Sequence, residues 1–158
     1  MGNDYESVMI QSLQKKVQVL DEIIEKNKEQ QQILEQEEFD GDAFEQNVEE
    51  KGNLIDHINF LDEGFEELYS RVKAVLETEK QAHKEDILLM KQLITEITEK
   101  SVTIQSEEVR NRRLVERRFS QERKKVKSMR NSSTVAKQYY TNMAKLNYVD
   151  AQFMDKKK

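Results

Sequence analysis

Two acidic clusters, Asp62-Glu63 and Glu66-Glu67, are the residues whose types and spacing come closest to supporting catalysis. They lie about one helical turn apart, so a helix would display them on neighbouring turns. Paired carboxylates in such positions could act as a general acid and a general base. The same pattern is typical of a solvated helix face, and this is the better interpretation because no other catalytic signature accompanies it.

The other groups that could do chemistry are few. The chain has two histidines, His57 and His83, on different predicted segments, and it has no cysteine. The lack of cysteine excludes disulfides, thiolate zinc sites and thiol nucleophiles. There is no HExxH sequence and no glycine-rich phosphate loop. The sequence therefore predicts a binding protein and not an enzyme, with no catalytic residue, no metal, no cofactor and no small-molecule substrate.

The composition must then be explained by the elements that carry these residues. The 158-residue chain has no proline and four glycines, and 36% of its residues are charged. Its mean hydropathy is -0.89. Such a profile is typical of a disordered chain or of long amphipathic helices. The longest aliphatic run, 87–90, is far shorter than a membrane span, so no membrane insertion is predicted. The polar N-terminus has no signal-peptide pattern, which agrees with a cytoplasmic location.

Apolar residues at helical spacing decide in favour of helices. One run extends from Ile10 to Leu34, and from Leu13 its steps alternate four and three residues as in a coiled-coil seam. A second run, from Phe44 to Leu76, again keeps to one helical face. A third run predicts a helix over about 84–128. We expect the first turn near Gly41, which permits a left-handed conformation, with Asp40 or Asp42 as the cap of the next helix. The second turn is expected within 77–86.

The predicted fold is all-α, an elongated antiparallel bundle of about three long helices with a short C-terminal helix or flexible tail. Residues 1–130 would form the bundle, and 131–158 would form the C-terminal element. The third helix would overhang the bundle with a basic end. On the second helix, Phe65 and Tyr69 are predicted to be buried and Phe60 exposed. Gly52 and Gly64 within that helix suggest the close approach of a neighbouring helix.

Charge is distributed unevenly along the chain. Residues 1–86 hold nine Lys/Arg and 23 Asp/Glu, a net charge of -14, whereas 87–158 hold 17 and eight, a net charge of +9. Opposite charges favour antiparallel packing of the two halves. The run 109–130 holds ten Lys/Arg. It could pack on the acidic half, bind a partner protein or bind nucleic acid. The overall acidity argues against phosphate, so we predict no specific nucleic-acid binding.

The C-terminal segment carries an apolar face on a helix too short to be stable alone in water. Tyrosine and methionine are suited to protein interfaces. A docking helix for a partner therefore explains this segment, and a tail folded back on its own bundle is the alternative. We call these residues the C-terminal apolar face: Val135, Tyr139, Tyr140, Met143 and Leu146.

Two stretches carry a resemblance to a known family. They are EEKGNLIDHINFLDEGFEELYSRVKAVL (49–76) and the ending VAKQYYTNMAKL…FMDKKK. With them the chain resembles FlgN-type flagellar export chaperones, particularly clostridia-like members. The resemblance implies a cytosolic helical protein of flagellar type III secretion, a monomer or homodimer. It would bind hook-associated (hook–filament junction) proteins, prevent their premature assembly and deliver them to the export apparatus. In the family the C-terminal segment grips the client, which points here to the C-terminal apolar face.

Two alternatives stay open at this point. The chain could be a structural coiled-coil protein whose function is self-association. It could also be a nucleic-acid-binding helical adaptor that acts through the basic run 109–130. Concentration-dependent oligomers without a partner would favour the first, and a salt-dependent affinity for DNA or RNA would favour the second.

Overall fold

The computed structural model describes residues 2–122 and 131–143, and these residues are helical almost throughout. The helices are α1 (Gly2–Glu35), α2 (Gly41–Thr78), α3 (Lys84–Gln121) and a short α4 over 131–143. No strand occurs in the described ranges. The predicted all-α bundle with a short C-terminal helix is therefore confirmed.

The central helix of the bundle is α1, which packs along both α2 and α3. The helices α1 and α2 run antiparallel, since Lys16 pairs with Asp62 at 2.8 Å and Lys26 pairs with Glu50. The helices α1 and α3 run in the same direction, since Asp21 lies 2.7 Å from Lys100 and the amide of Asn27 donates to Glu107 at 3.1 Å. Carboxylates at 62 and 50 thus pair with lysines, as expected of polar residues at the edge of a helical seam.

Burial along α2 follows the predicted helical phase. Phe65 is 3% exposed and Phe60 is 71% exposed, so this predicted contrast is confirmed. Tyr69 is half-buried instead of fully buried, and its ring stacks on Phe65 with centroids 6.3 Å apart. One face of α2 therefore forms the seam, while Phe60 lies on the opposite, solvent-facing side.

The connections are close to where the sequence places them. Asp40 caps α2 by accepting a hydrogen bond from the backbone amide of Ala43 at 3.1 Å. Gly41 is the first residue of α2 and has no positive φ, so the expected left-handed turn is not formed. The second turn, 79–83, lies inside the predicted window. A short connection between α2 and α3 follows from it.

One expectation about α2 is wrong, and one about α3 does not hold for its described part. A Cβ built on Gly52 or Gly64 would meet no heavy atom within 4 Å, so neither glycine marks a close helix contact. The end of α3 does not project from the bundle as far as it is described, because Phe119 packs against Phe39 and Phe44 with ring centroids 6.0 and 5.7 Å away. Residues 123–130, which complete the predicted third helix, lie outside the described residues.

Candidate functional site

The C-terminal apolar face lies on α4, and α4 packs into the groove between α2 and α3. The hydroxyl of Ser132 donates to a carboxylate oxygen of Glu45 at 3.0 Å, and the amino group of Lys51 lies 4.2 Å from the ring centroid of Tyr139. Because residue numbers increase along both helices from the first contact to the second, α4 runs parallel to α2. We call the stretch of this groove that α4 covers the filled half.

The structure places four of the five predicted site residues on the bundle side of α4. Tyr139 is 3% exposed and Met143 is 4% exposed, while Val135 and Tyr140 are half-buried against the core. Leu146 lies outside the described residues. This is the fold-back arrangement that the sequence left as the alternative to a free helix. The assignment of the face to a partner stays a prediction.

A buried trio of polar groups joins α4 to the bundle. One carboxylate oxygen of Glu108 accepts a hydrogen bond from the hydroxyl of Tyr139 at 2.6 Å and lies 2.7 Å from the amino group of Lys51. The Lys51 side chain is 0% exposed. A buried ion pair needs additional hydrogen bonds to offset the cost of removing two charges from water. Tyr139 provides such a bond, so α4 completes the ion pair between α2 and α3.

Burial shifts the pKa values of Lys51 and Tyr139 in opposite directions. Burial lowers the pKa of Lys51, and the neighbouring Glu108 carboxylate opposes this change. Burial, and then the same carboxylate, raises the pKa of Tyr139 well above its ordinary value. Burial also raises the pKa of Tyr140, and the Arg112 guanidinium, 5.3 Å from its ring, acts in the opposite direction. Both tyrosines are therefore held in the neutral form while α4 is docked.

The trio belongs to a wider polar layer across the bundle. The amide of Gln30 donates to Asn47 at 3.0 Å, and its oxygen accepts from Lys51 at 3.2 Å and from Asn111 at 3.1 Å. Asn111 also donates to the backbone carbonyl of Asn27 at 3.0 Å. Polar residues at seam positions are best known for setting the register of packed helices. Here the layer aligns α1, α2 and α3 at the height where Tyr139 of α4 docks.

The roles of Glu108 and Asn111 were not predicted from the sequence. A signal for them was present, because they continue the seam of α3 in steps of four and three residues between Ile104 and Val115. A polar residue at a seam position indicates a buried partner. For Glu108 that partner is Tyr139, which lies 31 residues further along the chain.

The basic run is used internally in its described part. Arg112 lies over the Tyr140 ring, and Arg118 donates to the backbone carbonyl of Glu37 at 2.8 Å. Arg113 and Arg117 are exposed. Packing of this run on the acidic half is thus seen at Arg118, whereas Arg112 packs on α4. The absence of nucleic-acid binding stays a prediction.

Three of the groups considered for catalysis have structural partners, namely Asp62, Glu67 and His83. The Asp62 carboxylate pairs with Lys16, and Glu67 pairs with Arg71 at 2.9 Å. His83 contacts the carboxylate of the buried Glu6. Among residues 2–122 and 131–143, no three His, Cys, Asp or Glu side chains group as a metal site. Nor does any helix in these ranges have both the length and the apolar character needed to cross a bilayer.

A comparison with protein families shows which family the chain belongs to. The model of the family described as FlgN protein matches residues 1–147. This chain belongs to the FlgN family. Membership supports a chaperone role in flagellar protein export, and FlgN proteins are a chaperone family, not an enzyme family. The match extends through α4 and includes all five residues of the C-terminal apolar face. Neither the curated proteins nor the solved structures gave a match.

Proposed function

We propose that this FlgN protein is a cytosolic export chaperone that binds hook-associated proteins through the C-terminal apolar face. The bound client would be kept from premature assembly and delivered to the flagellar type III export apparatus. Residues 1–130 would act as the supporting bundle and 131–158 as the client-binding element. The observation that supports this proposal is the docking of α4 by a few side chains on a helix too short to be stable alone.

Client binding requires α4 to leave the filled half of the groove, because Tyr139 and Met143 are buried in the docked state. The described part of α4 has about three and a half turns, and an isolated helix of this length is marginal in water. Its apolar face would be exchanged from the bundle to an amphipathic helix of the client. The half-buried Val135 and Tyr140 provide the first accessible contacts.

This exchange explains how a chaperone can hold and release a client without a nucleotide. When the binding-competent form is only a fraction of the population, the apparent affinity is reduced by that fraction. The bundle and the client compete for the same side chains. Docking of α4 would therefore keep the free protein closed and would favour release at the export apparatus.

Calorimetric titration of a purified hook-associated protein tests the proposal. The triple variant Tyr139→Ala/Tyr140→Ala/Met143→Ala should bind at least about thirtyfold more weakly, since one hot-spot truncation costs about 2 kcal/mol or more. Its melting temperature should also fall, because two of the three side chains are buried.

A matched variant separates the binding face from α4 as a whole. Lys137→Ala/Gln138→Ala/Thr141→Ala changes three exposed positions of the same helix and should leave client affinity within about twofold. Unchanged affinity in the first variant, together with its lowered melting temperature, would show that the C-terminal apolar face belongs to the bundle core alone.

A further inference from the structure

The groove between α2 and α3 continues beyond α4 toward the 79–83 turn. There it is a cleft of about 620 Å³ with an apolar floor. Met90 and Leu76 are buried in this floor, Ile87 is half-buried and Leu88 is 55% exposed. Tyr69 closes the floor on the α2 side. We call this stretch the open half of the groove, since no described residue covers it.

Lysines of both helices and of the 79–83 turn surround the open half. Lys73 and Lys80 lie on the α2 side, Lys84 and Lys91 lie on the α3 side, and Glu77 is the single acidic residue of the lining. All four lysines are exposed, and none makes an ion pair with a residue in the described parts of the chain. This cluster stands out because residues 1–86 carry a net charge of -14. The open half therefore presents concentrated positive charge beside apolar side chains.

The filled half shows that the same groove accepts a helix. There α4 inserts apolar side chains between α2 and α3, and polar contacts form on both sides, with Glu45 of α2 and Glu108 of α3. An amphipathic helix that enters the open half would place side chains at helical spacing on the apolar floor. Its flanking positions would face the lysines, so acidic residues are the complementary choice.

From this charge and shape we infer that the open half of the groove is a second docking site, which binds an acidic amphipathic helix of a partner protein. The chain's own C-terminal residues 144–158 are poor candidates, since they hold four lysines and two aspartates and share the sign of the groove. The site lies apart from the C-terminal apolar face and does not depend on which client that face binds.

A synthetic helical peptide of about five turns provides the probe, with leucine along one face and glutamate on both flanks. In fluorescence anisotropy with the full chain, this peptide should bind with an affinity that falls as salt is raised. The same peptide with lysine in place of glutamate should bind at least about tenfold more weakly, since like charges then face each other. Equal binding of the two peptides would overturn the inference.

Charge reversal on the two walls locates the site. Lys73→Glu/Lys91→Glu should weaken the acidic peptide about tenfold or more, and Leu88→Ser should weaken it without loss of fold because Leu88 is exposed. The control Lys15→Glu/Lys28→Glu makes the same change of net charge at exposed positions of α1 and should alter binding less than about twofold. Equal losses in the two charge-reversed variants would exclude this groove as the site.

Two other results would assign the open half to a different ligand and so contradict the inference. Dimers of the wild-type chain that Lys73→Glu/Lys91→Glu dissociates in sedimentation would show that a second copy binds there. Tighter binding of the acidic peptide to the variant Phe153→Ser/Met154→Ser than to the wild type would show that the chain's own C-terminus competes for the groove. Unchanged sedimentation and unchanged peptide affinity in these two tests are the expected results.

Discussion

The two halves of the α2–α3 groove differ in how their charges are arranged. In the filled half, Lys51 and Glu108 are buried as an ion pair, and Tyr139 of α4 completes it. In the open half the charges are exposed lysines above an apolar floor. A buried charge without its partner strongly destabilises the fold, whereas an exposed charge is solvated and contributes little to stability when paired. The filled half therefore holds a helix as part of the fold, and the open half is suited to reversible binding.

Removing one lysine from each half should give the largest difference. Lys51→Ala leaves the Glu108 carboxylate buried without its counter-charge, which should cost about 3–5 kcal/mol of unfolding free energy. Lys73→Ala removes an exposed side chain and should change stability by less than about 0.5 kcal/mol. Urea denaturation measures both values. Similar losses at the two positions would show that the halves do not differ in burial of charge.

The seam between α1 and α2 should be as well packed beside the open half as it is beside the filled half. Phe65 is buried and Phe60 is exposed on the same helix, within five residues of each other. Phe65→Ala should cost about 3–5 kcal/mol, and Phe60→Ala under about 1 kcal/mol. Equal costs would mean that α2 is rotated from the described phase and that the open half is not a groove beside an intact core.

Alkaline pH should undock α4 from the filled half. Burial raises the pKa of Tyr139 and Tyr140 above the ordinary 10.0. Their stabilising contribution is therefore complete below pH 10 and is lost as pH rises toward the docked-state values, by up to about 1.4 kcal/mol per tyrosine and pH unit. Lys51, whose pKa is lowered, contributes the opposite slope as pH approaches its ordinary value of 10.5.

A titration of tyrosinate absorbance together with helicity measures this loss. Part of the tyrosinate absorbance should appear only at pH values above the ordinary tyrosine range, together with a loss of helicity. The variant Tyr139→Phe/Tyr140→Phe should lack this high-pH phase. Ionisation of all tyrosines near the ordinary value, with helicity unchanged, would argue against a docked α4.

The smallest effect concerns the glycines of α2, one beside each half of the groove. Gly52 and Gly64 are helical, and each has open space where a Cβ would lie. Gly52→Ala and Gly64→Ala should each stabilise the protein by about 0.4–1 kcal/mol, because alanine loses less backbone entropy on folding. Thermal melts should show a gain at both positions. A loss at either one would reveal a close approach that the described side chains do not make.

Much of the fold could be predicted from the sequence because helical seams repeat locally. Apolar residues in steps of four and three define the three long helices, and the missing glycine or proline at 79–83 hid only the exact position of the turn. The end of α3 was harder to predict, because its seam becomes polar at Glu108 and Asn111 and so appears to fade.

The position of α4 could not be predicted in the same way. An apolar face such as that of Tyr139 and Met143 suits a partner and its own bundle equally well, and periodicity does not distinguish them. What favours the bundle is the match between the Tyr139 hydroxyl and the buried pair of Lys51 and Glu108. That match joins residues distant in the chain, so it becomes visible only in the folded structure.

Docking of α4 is proposed to compete with client binding, and one pair of conservative variants tests this competition most directly. Tyr139→Phe removes the hydrogen bond to Glu108 but keeps the ring, while Tyr140→Phe removes a hydroxyl that bonds to no described residue. A lost hydrogen bond to a charged group costs about 1.5–3 kcal/mol. In calorimetric titration, Tyr139→Phe should therefore bind a hook-associated protein at least about tenfold more tightly than the wild type does. Tyr140→Phe should bind it with the wild-type affinity. Unchanged or weaker binding by Tyr139→Phe would contradict the competition between bundle and client.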